Sequence, residues 1–283
     1  RLYLMIKFLP ILSNVISEQK RYQMNPDTRS KLKDLASSLW SMRNKKFSKK
    51  TMVDQLDFQT ADGTDGLVKI FVNPKYPNFA EIDSDPEDSY NPKDFVMQLN
   101  PKDFGSEKNV YLTLYHEMMH AIDPNFTTKH NEKYWDTYDS EKDEMYWGHP
   151  VEFFAITNEF LEGLVLEFER RSQLIQDPSD KKSLLKSLKN ILNYFGKNEP
   201  LTNQSKDILR RINDEHVDDN VLSKLVSDIE SKFPNVSDLI TDTKEIPYFL
   251  YYIELIKKHN PEIWPRFLTM LFKTKDDIIN VIK

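Results

Sequence analysis

Apolar residues recur at two different periods along this chain, and the change from one to the other separates its parts. Between Pro26 and Met42 the spacing is helical. Leu32, Leu35, Leu39 and Trp40 fall on one face, Asn25 or Asp27 stands at the cap, and Pro26 suits the first turn. The pattern then shortens. Met52–Thr60 and Leu67–Asn73 flank Ala61-Asp62-Gly63-Thr64-Asp65-Gly66, whose turn chemistry predicts a β-hairpin. Phe79–Asp83 and Phe95–Leu99 predict two further short strands. The acidic stretch from Asp83 to Asp88 between them reads as a loop, because it lacks the glycine that a calcium loop needs for its sharp turn.

Helical spacing returns with Val110, Leu112, Leu114, Met118 and Ile122. Ser106 is placed to cap that helix, and Asp123-Pro124 ends it, since a residue before proline disfavours the helical region. Asn125 to Gly148 is irregular, acidic and aromatic, a long loop of the kind that carries function. A long helix is expected from Pro150 past Arg170, with Phe153, Phe154, Ile156, Phe160, Leu161 and Leu164 facing a core. After Pro178 the pattern is helical throughout. It predicts helices at Lys181–Tyr194, Thr202–Glu215, Asn220–Phe233, Tyr248–His259 and Pro261–Phe272, and a last short one after Lys275.

These elements define an α+β chain in three parts. They are a helical N-terminal arm over 1–50, a small mixed sheet with two helices over 51–178, and a helical region over 179–283. The first sixteen residues are apolar, but Lys7 and Pro10 interrupt them and no small-residue cleavage site follows. They read as a packing arm and not as a signal peptide. No run of eighteen apolar residues exists, so no membrane span and a soluble protein are expected.

With 283 residues, 39% of them hydrophobic, the chain can bury a sizeable core. Its net charge of −6 argues against nucleic acid as a partner, which selects a basic face. The basic cluster Arg43, Lys45, Lys46, Lys49 and Lys50 is read as a solvated linker. There is no cysteine, so no disulfide framework is available and any metal must bind through histidine and carboxylate.

That restriction gives weight to His116-Glu117-Met118-Met119-His120 on the central helix. Two histidines four apart lie on one helical face, so their imidazoles can converge on one Zn²⁺ at roughly 2.0–2.1 Å. A glutamate next to the first histidine can take a proton from a water on that metal. Glu117 is the one charge in an apolar stretch, so it is paired or functional. A catalytic zinc needs a third protein ligand. Asp123, His130, Glu144, His149 and Glu152 are the candidates. Asp123 is three residues past His120 and also suits a carboxylate that orients an imidazole. Glu152 stands out, because it opens a strongly apolar helix and small Ala155 would let that helix approach closely.

His116-Glu117-x-x-His120 followed by Glu152-x-x-Ala155 resembles the gluzincins, zinc peptidases whose third ligand is a glutamate. His120-Ala-Ile-Asp123 and Tyr146…Glu152-Phe-Phe-Ala155 are similar to lethal-factor-like catalytic domains and to small phage-encoded zinc peptidases. The resemblance covers roughly 95–162. It implies a zincin-like domain with an active-site helix and a glutamate helix, and Glu152 as third ligand. It also implies Glu117 as general base and Tyr146 as the phenol that stabilises the oxyanion, with His149 competing for that role. A peptide or protein substrate follows, aligned on an edge strand expected near Phe95–Leu99. The alternative is a non-catalytic structural protein on a zincin fold, for example a virion component. The helical C-terminal region is expected to meet a protein partner.

Overall fold

The computed structural model describes residues 24–60, 63–84, 94–123, 150–197, 261 and 264–283. The chain divides into two compact units, Arg1–Glu159 and Phe160–Lys283.

In the first unit, helix α1 (Pro26–Ser41) starts where the sequence predicts. The Asn25 side chain accepts the Asp27 N–H at 2.9 Å, and Leu32, Leu35, Ala36 and Leu39 are buried at three- and four-residue spacing. Four strands follow: β1 (Thr51–Gln59), β2 (Asp65–Val72), β3 (Ala80–Ser84) and β4 (Asp94–Leu99). The expected hairpin is present, with β1 antiparallel to β2. At its turn the Thr60 N–H donates to the Thr64 carbonyl at 2.8 Å. Gly63 there has φ +89°, a conformation that costs glycine no Cβ clash.

The sheet order is β1-β2-β4-β3. β2 pairs with β4 in parallel, and β3 pairs with β4 antiparallel, so the sheet is small and mixed and the chain is α+β, as expected. One expectation is corrected. Phe95–Leu99 is not an edge strand, because β4 is hydrogen-bonded on both sides. Its apolar run buries Phe95, Met97 and Leu99, which suits an interior position. The edges are β1 and β3, and β3, next to β4, is a short strand with exposed Glu81 and Asp83.

Alternate residues form one buried face of the sheet: Leu56, Phe58, Val68, Ile70, Val72, Ile82, Phe95, Met97 and Leu99. The Phe58 and Phe95 rings meet there with centroids 6.1 Å apart. Helix α1 packs against β1 and against α2 (Glu107–Ile122), and α2 packs against β3. The Ser106 hydroxyl caps α2 by accepting the Asn109 N–H at 3.1 Å. Asp123 closes it, its N–H shared between the carbonyls of Met119 and His120 at 3.2 Å each. Helix α3 (Pro150–Leu174) contributes its residues up to Glu159 to this unit, with Phe153, Phe154 and Ala155 buried.

The second unit holds the rest of α3, α4 (Pro178–Lys197) and α5 (Trp264–Ile282). α4 and α5 pack together, and the Lys181 ammonium donates to the Lys283 carbonyl at 3.1 Å. The sequence predicts a break between Phe272 and Lys275, but α5 runs through it. No proline or glycine interrupts the run, and the Thr274 hydroxyl bonds back to the Met270 carbonyl at 3.0 Å. Met270, Leu271, Ile278 and Ile282 keep one buried stripe across it. Among the described residues no helix is long and apolar enough to cross a membrane. The arm over 1–16, the loop over 85–88, the stretch 125–148, and the helices expected at Thr202–Glu215, Asn220–Phe233 and Tyr248–His259 lie outside the described residues.

Candidate metal centre

His116 and His120 stand one turn apart on α2, with ring centroids 4.9 Å apart and planes at 78°. Glu152, in the first turn of α3, meets them from the second helix. His116 Nε2 and His120 Nε2 are 3.2 Å apart, and Glu152 Oε2 lies 3.7 Å from each. A tetrahedral ion with bonds of roughly 2.0–2.2 Å needs ligand atoms about 3.3–3.6 Å apart, and this triangle brackets that size. His116, His120 and Glu152 are thus a group able to hold a metal ion, with the imidazole-and-carboxylate donors that suit a divalent transition metal.

The three donors are largely withdrawn from solvent. Relative exposures of the side chains are 17% for His116, 6% for His120 and 13% for Glu152. Ala155 is buried one turn beyond Glu152, where a larger side chain would crowd the packing of α3.

A fourth residue, and second carboxylate, completes the arrangement. Glu159 Oε2 lies 2.9 Å from His116 Nδ1. A carboxylate at that distance takes an N–H from Nδ1, which leaves the Nε2 lone pair directed into the triangle. Two imidazole lone pairs 3.2 Å apart repel unless a cation or a proton lies between them. Without an ion the proton serves. Burial opposes the imidazolium, but the Glu152 and Glu159 carboxylates outweigh it, and His116 is held well above the usual histidine range.

Glu117 projects from the same helix turn as His116 and is partly buried. Burial raises its carboxyl and nearby His116 lowers it, while Glu152, Glu159 and Glu81 raise it further, leaving it pushed up to about 7. Tyr76, in the loop before β3, and Glu81, on β3, belong to this electrostatic neighbourhood. The Tyr76 hydroxyl donates to Glu81 Oε2, and Asn78 Nδ2 donates to the same oxygen at 3.2 Å. Burial and then the Glu81 bond hold the Tyr76 phenol well above its ordinary range, with Glu117 adding in the same sense.

The structure therefore brings together His116, His120 and Glu152, with Glu117 beside them. Asp123 is buried at the end of α2 and is not part of the metal-capable group. His130, Glu144, Tyr146 and His149 lie outside the described residues. Sequence reasoning missed Glu159. Its signal was available: Glu152 and Glu159 are seven residues apart, two turns along one face of the same helix. It also missed Tyr76 and Glu81, which interact electrostatically with Glu117 from outside the two helices. No family model, no curated protein and no solved structure matches the chain.

Proposed function

We propose that the chain is a zinc-dependent endopeptidase of the gluzincin type, with His116, His120 and Glu152 as zinc ligands and Glu117 as general base. The observation that carries this reading is the convergence of three neutral-or-anionic donors from two helices with an acid–base carboxyl next to them. A purely structural metal site has no need of that carboxyl.

When bound, zinc polarises a water and the carbonyl of the bond to be cut. The chain supplies the rest. Glu159 fixes the His116 ring so that Nε2 faces the ligand position. Glu117 takes the proton from the attacking water on a carboxylate oxygen and passes it to the leaving amine. Tyr146 or His149 donates a hydrogen bond to the oxyanion, a contribution of about 3–4 kcal/mol in other hydrolases. Edge strand β3, in place of the interior β4, offers main-chain groups to an extended peptide.

The test is Glu117→Gln assayed on a quenched fluorescent peptide library. The variant is expected to keep its zinc and to lose turnover by about 10²–10⁴. A variant that still cuts overturns Glu117 as general base, and a zinc-loaded wild type that cuts nothing in the library favours the non-catalytic reading.

A further inference from the structure

The side chains on the outer side of β3 have no part in the ligand set of His116, His120 and Glu152. The Asn73 N–H donates to the Leu99 carbonyl at 2.8 Å, so Leu99 turns its backbone groups to β2. Strand parity then turns Gln98 and Val96 to β3. Their partners Glu81 and Asp83 bond inward, and the N–H and C=O groups of Ala80, Ile82 and Ser84 point to the open side. Among the described residues no strand occupies that side.

A peptide added antiparallel there forms hydrogen-bonded pairs opposite Ala80, Ile82 and Ser84. Residues opposite Glu81 and Asp83 then sit in the closer, non-hydrogen-bonded pairs, with Cα atoms about 4.5 Å apart and side chains in contact. Ile82 turns into the core, so Glu81 and Asp83 share the opposite face, and both are exposed. Glu81 Oε2 is fixed by two neutral donors, Tyr76 and Asn78, which hold the carboxylate in place without cancelling its charge. This strand packs on α2, the helix that carries His116 and Glu117.

Resting on the peptidase reading for its occupant, we infer that Glu81 is a specificity residue: it selects extended peptides with a lysine or arginine directly opposite it on β3. The Glu81 carboxylate gains an ion pair with such a side chain and repels an acidic one. Asp83, two residues on, extends the same preference to alternate positions of the peptide.

The test separates binding from cutting. Zinc-loaded Glu117→Gln protein is titrated with fluorescein-labelled nonapeptides of valine and threonine, in which one position, moved along the peptide, is lysine, alanine or glutamate. At one position the lysine peptide is expected to bind roughly tenfold more tightly than the glutamate peptide. Glu81→Gln, which keeps an acceptor for Tyr76 and Asn78, brings that ratio close to one, and Glu81→Lys inverts it. Equal affinities at every position, a ratio untouched by Glu81→Lys, or no binding of any peptide overturns the inference. Lysine-selective binding of peptides that wild type never cuts supports the inference and removes the peptidase reading.

Discussion

Glu159 Oε2 stands 2.9 Å from His116 Nδ1, two turns beyond Glu152 on the same helix. Helix α3 thus supplies one carboxylate facing the ligand atoms and a second that orients one of them. Because the second acts through the histidine, Glu159→Ala is expected to weaken zinc binding about 10–100-fold without removing it. Glu159→Gln retains an amide oxygen for the Nδ1–H and should recover part of that loss. Competition with a chelator of known affinity measures both, and unchanged affinity in Glu159→Ala would remove the orienting role.

The metal-free protein should lose stability as pH rises. Glu117 is raised from 4.5 to about 7 and His116 is raised well above 6.5 in the folded chain, so the folded state binds more protons than the unfolded one across that range. The stabilisation from Glu117 is complete below 4.5 and is lost as pH climbs through about 7. That from His116 is complete below 6.5 and is lost as pH passes its raised folded value. Zinc needs deprotonated ligands, so its own stabilisation runs the other way and grows with pH. Thermal unfolding of chelated and zinc-loaded protein between pH 5 and 8 is expected to give curves of opposite slope. Glu117→Gln should flatten the chelated curve, and a chelated protein that gains stability toward pH 8 would contradict this account.

Three fold positions should respond in proportion to their burial and conformation. Leu114 is fully buried on α2, two residues before His116, and Leu114→Ala is expected to cost roughly 2–5 kcal/mol. Met52 is 47% exposed, and Met52→Ala should stay within about 0.5 kcal/mol. At Gly63 a Cβ would meet no atom within 4 Å, so a loss in Gly63→Ala reports its φ of +89° alone, at about 1–2 kcal/mol. Urea unfolding measures all three.

Elements governed by local chemistry were readable from the sequence. Asn25 and Ser106 are caps, the Gly63 turn makes the hairpin, and α2 ends at Asp123, because each depends on residues within one turn of itself. His116 and His120 were readable for the same reason, since helical spacing alone puts them together. Spatial strand order was not readable. β4 enters between β2 and β3 through pairing with β2, a contact about thirty residues distant that no local pattern encodes. That one displacement moves the sheet edge from Phe95–Leu99 to Ala80–Ser84, and with it the significance of Tyr76 and Glu81. The sequence predicts two helices where α5 is one, because its buried stripe of Met270, Leu271, Ile278 and Ile282 continues across the polar residues between them.

The central claim is that His116, His120 and Glu152 form one metal centre, and the most direct measurement is zinc content by mass spectrometry of wild type beside Glu152→Ala. The account predicts about one zinc per chain in wild type and its loss or marked weakening in the variant. Full zinc retention in Glu152→Ala, or no zinc in wild type after reconstitution, would contradict it.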